Sequence, residues 1–454
     1  MTERAGKYDL TTGSILKKLL LVAVPIMGTQ LVQMSYNLMD MFWLGRLSSN
    51  AVAASGTAGM FMWLSMAFVI IGRLGAEIGV SQNLGYGDKD AAKRYGQNAM
   101  FLATILGVLY GVTLVTFRGQ FVGFFNIQEA NVAADAKAYL GIVGLAMPFM
   151  FLTNPIIGMF NASGNSRTPF VINAIGLVIN MVLDPLLIFT LGLGIEGAAY
   201  ATGLAQIVVF ALMMYALMRT KNRPFERFEL FVKPKLAYIR QILKWSLPVG
   251  VESLLFTTMS MITSRFVAGF GADAMAVSRV GSQAESLSWL IAGGFGSALT
   301  TFMGQNFGAG KWARIHKGFR MSSMVMLGYG AVITGVLFFG AEFLFSLFLP
   351  GDADIIAMGV MYLRILAICQ IPQCFEAVAG SIFKGTGQTL PPSIVSISSN
   401  VLRVFCAYFF ARTALGLNGI WLALTLTATL RGLWSFVWCL SVNRRRPKVD
   451  VPVS

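Results

Sequence analysis

The chain has 454 residues, of which 56% are hydrophobic and only 12% charged. Soluble domains average about 25% charged residues, so a soluble enzyme, a fibre and a disordered tail are excluded, and the composition is that of a polytopic membrane protein. The formal net charge of +15 would suit nucleic acid, but the Lys and Arg residues sit mostly in short gaps between long apolar runs, where they set membrane topology. No nucleic-acid partner is expected.

A membrane helix needs about 20 mainly apolar residues, and twelve stretches are predicted to meet that need. The first, 17–44, is too long for the apolar part of a signal peptide and carries Asp40, so it is read as a retained span. It contains Gln30, Gln33, Asn37 and Asp40 at spacings of three, four and three, with Tyr36 four residues before Asp40. That spacing gathers them on one helix face, and a polar stripe on an apolar helix should face a wet cavity. The second span, 51–82, carries Arg73 and Glu77 one turn apart, expected to pair with each other. Its Met60, Phe61, Met62, Trp63 and Met66 are candidates for an adaptable apolar pocket. Spans follow at 95–117 and 134–160.

The fifth span, 168–190, aligns Asn173, Asn180 and Asp184 on one face, and Pro185 frees a backbone carbonyl beside the carboxylate. Two carboxylates, an amide and loosened carbonyls make an oxygen-rich nest for a small hard cation such as Na⁺. Two carboxylates close together in a low dielectric equally suit sharing a proton. Span six is 197–218. A basic linker precedes spans seven and eight, 238–269 and 274–305, which carry Glu252 and Glu285 as candidate substrate contacts. Pairing with Arg279 or Arg403 is the alternative role for these glutamates. The last four spans are 318–348, 355–383, 391–412 and 418–441; Glu376, in the tenth, is a further acidic candidate.

Cys369, Cys374, Cys406 and Cys439 all lie in apolar runs and are expected to be buried free thiols. The sole histidine, His316, is placed in a basic loop. With no zinc motif, phosphate loop or Ser/His/Asp set, no enzyme activity and no cofactor are expected. About 25 Lys and Arg fall in one set of alternate gaps, against Arg46, Arg118, Lys137, Arg265 and Arg412 in the other. Both termini are therefore expected in the cytoplasm, in a multi-pass protein of the cell (inner) membrane.

An internal repeat organises the chain. At an offset of 223 residues Pro25 matches Pro248, Ala51 Ala274, Ala53 Ala276, Ser55 Ser278, Gly164 Gly387 and Pro169 Pro392. The same offset aligns Gln82-Asn83-Leu84-Gly85-Tyr86-Gly87 with Gln305-Asn306-Phe307-Gly308-Ala309-Gly310. Each copy holds six spans, so the copies share one orientation, related by an axis along the membrane normal. The expected architecture is all-α, two parallel six-helix bundles around a central cleft: a lobe at 1–218, a cytoplasmic basic linker at 219–237 and a second lobe at 238–454. Such a plan suits alternating access more than a channel, which would repeat around a pore.

The repeat, the twelve spans and several motifs resemble the MATE (multidrug and toxic compound extrusion) family. The motifs are Tyr36-Asn37-Leu38-Met39-Asp40, Phe42-Trp43-Leu44-Gly45, the two Gln-Asn-x-Gly-x-Gly segments, Asn161-Ala162-Ser163-Gly164-Asn165 and Lys384-Gly385-Thr386-Gly387-Gln388. The paired first-lobe aspartates look like the DinF-like branch. This resemblance implies a cation-coupling site of Asp40, Asn180, Asp184 and Thr202, which would be the Na⁺ ligands in a sodium-coupled protein. It also places Tyr36 and Asn154 nearby. Gln33, Tyr36, Asn37, Asn154, Glu252 and Glu285 are the expected substrate contacts.

The function expected is antiport: Na⁺ or H⁺ entry driving export of amphipathic, often cationic, small molecules by a functional monomer in the lipid bilayer. The alternative is a flippase for a lipid-linked saccharide or phospholipid. A lipid diphosphate calls for a strongly cationic cleft, whereas the first-lobe stripe is acid and amide.

Overall fold

The computed structural model describes residues 8–125, 127, 129–220, 223–230, 232–348 and 353–443. The first half contains α1 (Ile15–Leu47), α2 (Ser49–Tyr86), α3 (Lys89–Gly123), α4 (Ala130–Ala162), α5 (Arg167–Pro185) and α6 (Gly194–Arg219). A π-type turn, Leu186–Thr190, extends α5 beyond Pro185. The second half contains α7 (Leu236–Ala268), α8 (Ala272–Gly308), α9 (Trp312–Phe339), α10 (Ala341–Phe348), α11 (Ala353–Ala367), α12 (Gln370–Gly385), α13 (Leu390–Phe410) and α14 (Gly416–Asn443). The protein is all-helical, and each of the twelve predicted stretches is occupied by helix.

Among the described residues nine helices are long and apolar enough to cross a membrane, or ten with α11 and α12 taken as one bent span. α7 and α8, 33 and 37 residues long, fall outside that set. They occupy the places of α1 and α2 in the second copy, and their apolar faces are interrupted by Glu252, Arg279 and Glu285. Two predicted spans are broken. The run at 318–348 ends at Phe339 and continues as the separate α10, and the run at 355–383 bends by 43° between α11 and α12. His316 lies in the second turn of α9, its Nδ1 2.7 Å from the Trp312 carbonyl, and not in a loop.

Helix ends follow local chemistry. Ser48 caps α2 by accepting from the Ala51 N–H, and Asp88 caps α3 by accepting from the Ala91 N–H, each satisfying a donor that the first turn cannot. The linker is tucked against the first half rather than free. Phe225 and Phe228 are buried beside Tyr95 and Trp245, the Gln97 side chain donates to the Glu229 carbonyl, and the Lys235 N–H donates to Asn98. Arg4, Lys7, Lys221, Arg444, Arg445, Arg446 and Lys448, all counted in the charge argument, lie outside the described residues.

The packing exchanges the leading helices of the two halves. α1 lies against α8 and α5 far more than against α2, and α7 lies against α2 and α13 far more than against α8. Thus Leu19, Val22 and Ile26 of α1 share a core with Phe295, Leu299 and Phe302 of α8, while Ile242, Trp245 and Val249 of α7 share one with Leu74, Ile78 and Tyr95.

α2 and α8 cross at their C-terminal ends, where the two Gln-Asn-x-Gly segments meet. A Cβ on Gly85 would come within 2.0 Å of the Gln305 carbonyl oxygen, and one on Gly308 within 1.8 Å of that of Gln82. Only glycine permits this approach. The flanking amides reach across it reciprocally: Gln82 Nε2 donates to the Gly385 carbonyl at 2.8 Å, and Gln305 Nε2 to the Ala162 carbonyl at 2.7 Å. The chain before α1 lies over this seam, with Leu10 fully buried. The Leu10 N–H donates to Gln305 Oε1, and Asn306, Lys311 and Arg314 donate to the Leu10, Thr11 and Gly13 carbonyls. The molecule is closed at this end, beside the basic helix starts of α3 and α9.

Candidate functional site

The first-half site forms where α1, α4, α5 and α6 converge. Asp40 projects from α1, where it is half-buried, and accepts at Oδ2 from the Tyr139 hydroxyl of α4 at 3.2 Å. Asn180 and Asp184, both fully buried, sit one turn apart on α5, and Asn180 Nδ2 donates to Asp184 Oδ1 at 3.3 Å. Thr202, from α6, is buried beside them. Tyr36 faces both carboxylates and Thr202. Pro185 cannot donate to the helix, and the chain relaxes into the π-type turn just beyond Asp184.

Five oxygens in this cluster are buried and without a hydrogen-bond partner: Tyr36 Oη, Asp40 Oδ1, Asn180 Oδ1, Asp184 Oδ2 and Thr202 Oγ1. Buried polar atoms are nearly always satisfied, so five together, two of them from carboxylates, mark a place where something is received. An all-oxygen donor set suits a hard cation. Of the sequence-predicted coupling residues, the structure brings all four together, with Tyr36. Tyr139 escaped the sequence reading. Its signal was available, since Tyr362 stands 223 residues later.

The other predicted residues disperse. Gln33, with Gln30 and Arg73, lines a small recess between α1, α2, α4 and α5, and Asn37 is exposed on α1. Asn154 and Asn173 turn their amides back onto the Met150 and Pro169 carbonyls of their own helices. Arg73 and Glu77 do not pair. Glu77 instead accepts from Ser297 at 2.9 Å and Thr301 at 3.3 Å, both on α8, so its carboxylate joins the two halves.

Between the halves lies a cavity of about 310 Å³. Trp63 and Met66 of α2 form one wall, opposite Glu252 and Phe256 of α7, Trp289 of α8, Glu376 of α12 and Arg431 of α14. Glu252 accepts from Ser393 at 2.9 Å, and Glu376 is ion-paired with Arg431 at 2.8 Å. Glu285 does not line the cavity; it accepts from Trp289, Gln370 and Gln373 behind it. Cys369, Cys374 and Cys439 are buried and Cys406 is half-buried, all as free thiols.

The chain matches the MatE family model twice, over residues 25–186 and 248–409, two segments set apart by the repeat offset. It is 27% identical to the probable multidrug resistance protein NorM of Thermotoga maritima, over 94% of this chain and 92% of that protein. It is 28% identical to the probable multidrug resistance protein YpnP of Bacillus subtilis, over 95% and 96%. A crystal structure of a MATE transporter superposes with a TM-score of 0.90 at 22% identity, covering 97% of this chain and 98% of that one. The outward-facing conformation of a multidrug resistance MATE family transporter gives a TM-score of 0.89 at 22% identity, over 96% and 98%.

Proposed function

Because the chain belongs to the MatE family, and relatives similar to it are named as probable multidrug resistance proteins, we propose that it is a Na⁺- or H⁺-coupled antiporter that exports amphipathic organic compounds, often cationic. The observation that carries this reading is the set of five unpartnered buried oxygens around Asp40 and Asp184. The same two aspartates support placement in the DinF-like branch.

Coupling follows from where those oxygens sit. Asp40 rides on α1, whereas Asn180, Asp184 and Thr202 belong to α5 and α6. Two carboxylates with no cation between them repel, and an entering cation draws α1 toward α5. α1 is also the helix that packs on α8 of the other half, so the position set by the cation is felt at the seam between halves. A cation that binds one facing better than the other shifts the population accordingly.

The substrate is read to lie in the cavity between the halves, where aromatic and methionine side chains offer adaptable apolar contact and Glu252 offers charge to an organic cation. With the basic end taken as cytoplasmic, closure at Gly85 and Gly308 makes this the outward-facing state, in the cell membrane with the N-terminal strap on the inside. The relatives support drug export, and no contact in the cleft favours the lipid-flippase reading.

The test is efflux of ethidium from proteoliposomes, with Na⁺ and pH gradients imposed separately, for wild type and Asp40→Asn. Efflux driven by one gradient and lost in the variant is expected. Equal efflux by well-folded Asp40→Asn would contradict the coupling role.

A further inference from the structure

Helical spacing pairs Arg73 with Glu77, one turn apart on α2, and the structure keeps them apart. Glu77 is only 4% exposed, and its Oε1 accepts from Ser297 and Thr301, on successive turns of α8 in the other half. This contact extends the seam toward the cleft. Gly85, Ser81 and Glu77 stand four residues apart, on one face of α2. Between the crossing of Gly85 with Gly308 and the carboxylate, a Cβ on Gly304 would come within 2.1 Å of the Ser81 hydroxyl. The repeat does not duplicate the carboxylate. At the 223-residue offset Glu77 corresponds to Thr300, whose hydroxyl donates to the Gly296 carbonyl of its own helix.

Opening this end of the molecule would take both α8 hydroxyls away from Glu77. A buried carboxylate left without partners is strongly unfavourable, so the open state needs a replacement. The cations that face Glu77 are Arg73 and Lys384. Lys384 is carried by α12, which packs on α8 and would depart with it. Arg73 stays, because it belongs to α2 itself. Among the described residues no carboxylate forms an ion pair with it, and it lines the small recess between α1, α2, α4 and α5. A separation of four residues is within reach of an ion pair along a helix.

We propose that Glu77 is a partner-switching latch: Ser297 and Thr301 hold it while the seam is shut, and it turns to Arg73 when α2 and α8 part. The carboxylate is then satisfied in both states, and neither facing becomes a trap. Arg73 and Glu77 are positioning residues of the transport cycle, outside both the cation cluster and the cavity between the halves. This rests on the alternating-access part of the export reading.

Double electron–electron resonance on the full-length protein with Cys406→Ala tests the latch. Nitroxides at Asp90→Cys and Ala313→Cys, exposed on the two halves at the end that closes, read the shut and open states as a short and a long distance. Ser297→Ala with Thr301→Ala should raise the long-distance population about tenfold, because two hydrogen bonds to a carboxylate are lost from the shut state alone. Adding Arg73→Gln should cancel that gain, since the open state is then stranded as well. Arg73→Lys in its place should preserve most of it. A gain that survives Arg73→Gln in full would mean that the hydroxyls only pack the seam, and would overturn the switch; so would the absence of any gain. Ser297→Ala alone removes the shorter contact and should give about a threefold gain, so the comparison stands even if the double replacement does not fold. The distances are read without substrate or gradient, and each of these failures leaves the export reading intact. A single short distance in every variant, with or without ethidium, would contradict alternating access at this seam and the latch together.

Discussion

Gly85→Ala probes the seam at which the two halves close. The added Cβ would lie 2.0 Å from the Gln305 carbonyl oxygen, a backbone atom at the helix crossing that no rotamer change can move. Restoring ordinary contact requires α2 and α8 to separate by about 1.4 Å. Overpacking of this kind costs about 1–3 kcal/mol, and the cost is present only while the seam is shut. The closed state should therefore lose population by about 5- to 150-fold relative to the state open at this end. Nitroxides at Asp90→Cys and Ala313→Cys, exposed positions on opposite halves related by the repeat, would report the change by double electron–electron resonance, with half-buried Cys406 replaced by Ala. A longer distance population in Gly85→Ala is expected, with Gly308→Ala behaving alike because its Cβ meets the Gln82 carbonyl at 1.8 Å. An unchanged distance distribution with unchanged thermal stability would refute the reasoning.

Three other outcomes follow from the same contacts. Gln305→Ala leaves the Ala162 carbonyl and the Leu10 N–H unpaired, each at about 1–3 kcal/mol, so hydrogen exchange over residues 8–13 should accelerate sharply; protection like that of wild type would contradict the strap. Arg431→Met removes the partner of Glu376, whose side chain is 24% exposed, and should lower stability by about 3 kcal/mol; Arg431→Met with Glu376→Gln should recover most of it in a detergent melt, and no recovery would show that the pair is not the cause. Asp9, in the strap, is pushed up by partial burial, but the Thr11 N–H, the Thr11 and Thr12 hydroxyls and Lys311 outweigh that and hold it below its ordinary value of 3.8. A carboxylate lowered on folding contributes stability above its unfolded value and loses it as pH falls through the lowered folded value. Exchange protection of the Thr11 amide should therefore persist at pH 5 and fade only below the ordinary carboxylate range, and fading near pH 6 would contradict this.

Much of this was legible in the sequence because helical periodicity carries it. The three- and four-residue spacings put Asp40 on one face of α1 and Asn180 with Asp184 on one face of α5, and the repeat offset tied Gln82 to Gln305. What periodicity could not show is which helices from distant segments meet. Arg73 and Glu77 are one turn apart, yet Glu77 finds Ser297 and Thr301 on α8, because α2 and α8 cross and hydroxyls within reach satisfy a carboxylate as a neighbouring cation would. Tyr139, a single aromatic in an apolar run, is marked only by its repeat counterpart Tyr362. The break at Gly340 and the bend between α11 and α12 were hidden because apolar residues continue through both. Arg403 read as a possible partner for a glutamate, and only packing shows that the nearby glutamates are already engaged.

The central claim is that Asp40 and Asp184 together receive the coupling cation. The most direct measurement is cation binding to purified wild type and Asp184→Asn, following ²²Na⁺ retention and, in the same preparation, proton release when ethidium is added. The account predicts that wild type shows one of the two, saturable and displaced by substrate, and that Asp184→Asn shows neither while still binding ethidium. Retention or proton release undiminished in Asp184→Asn would place the coupling site elsewhere and contradict the account.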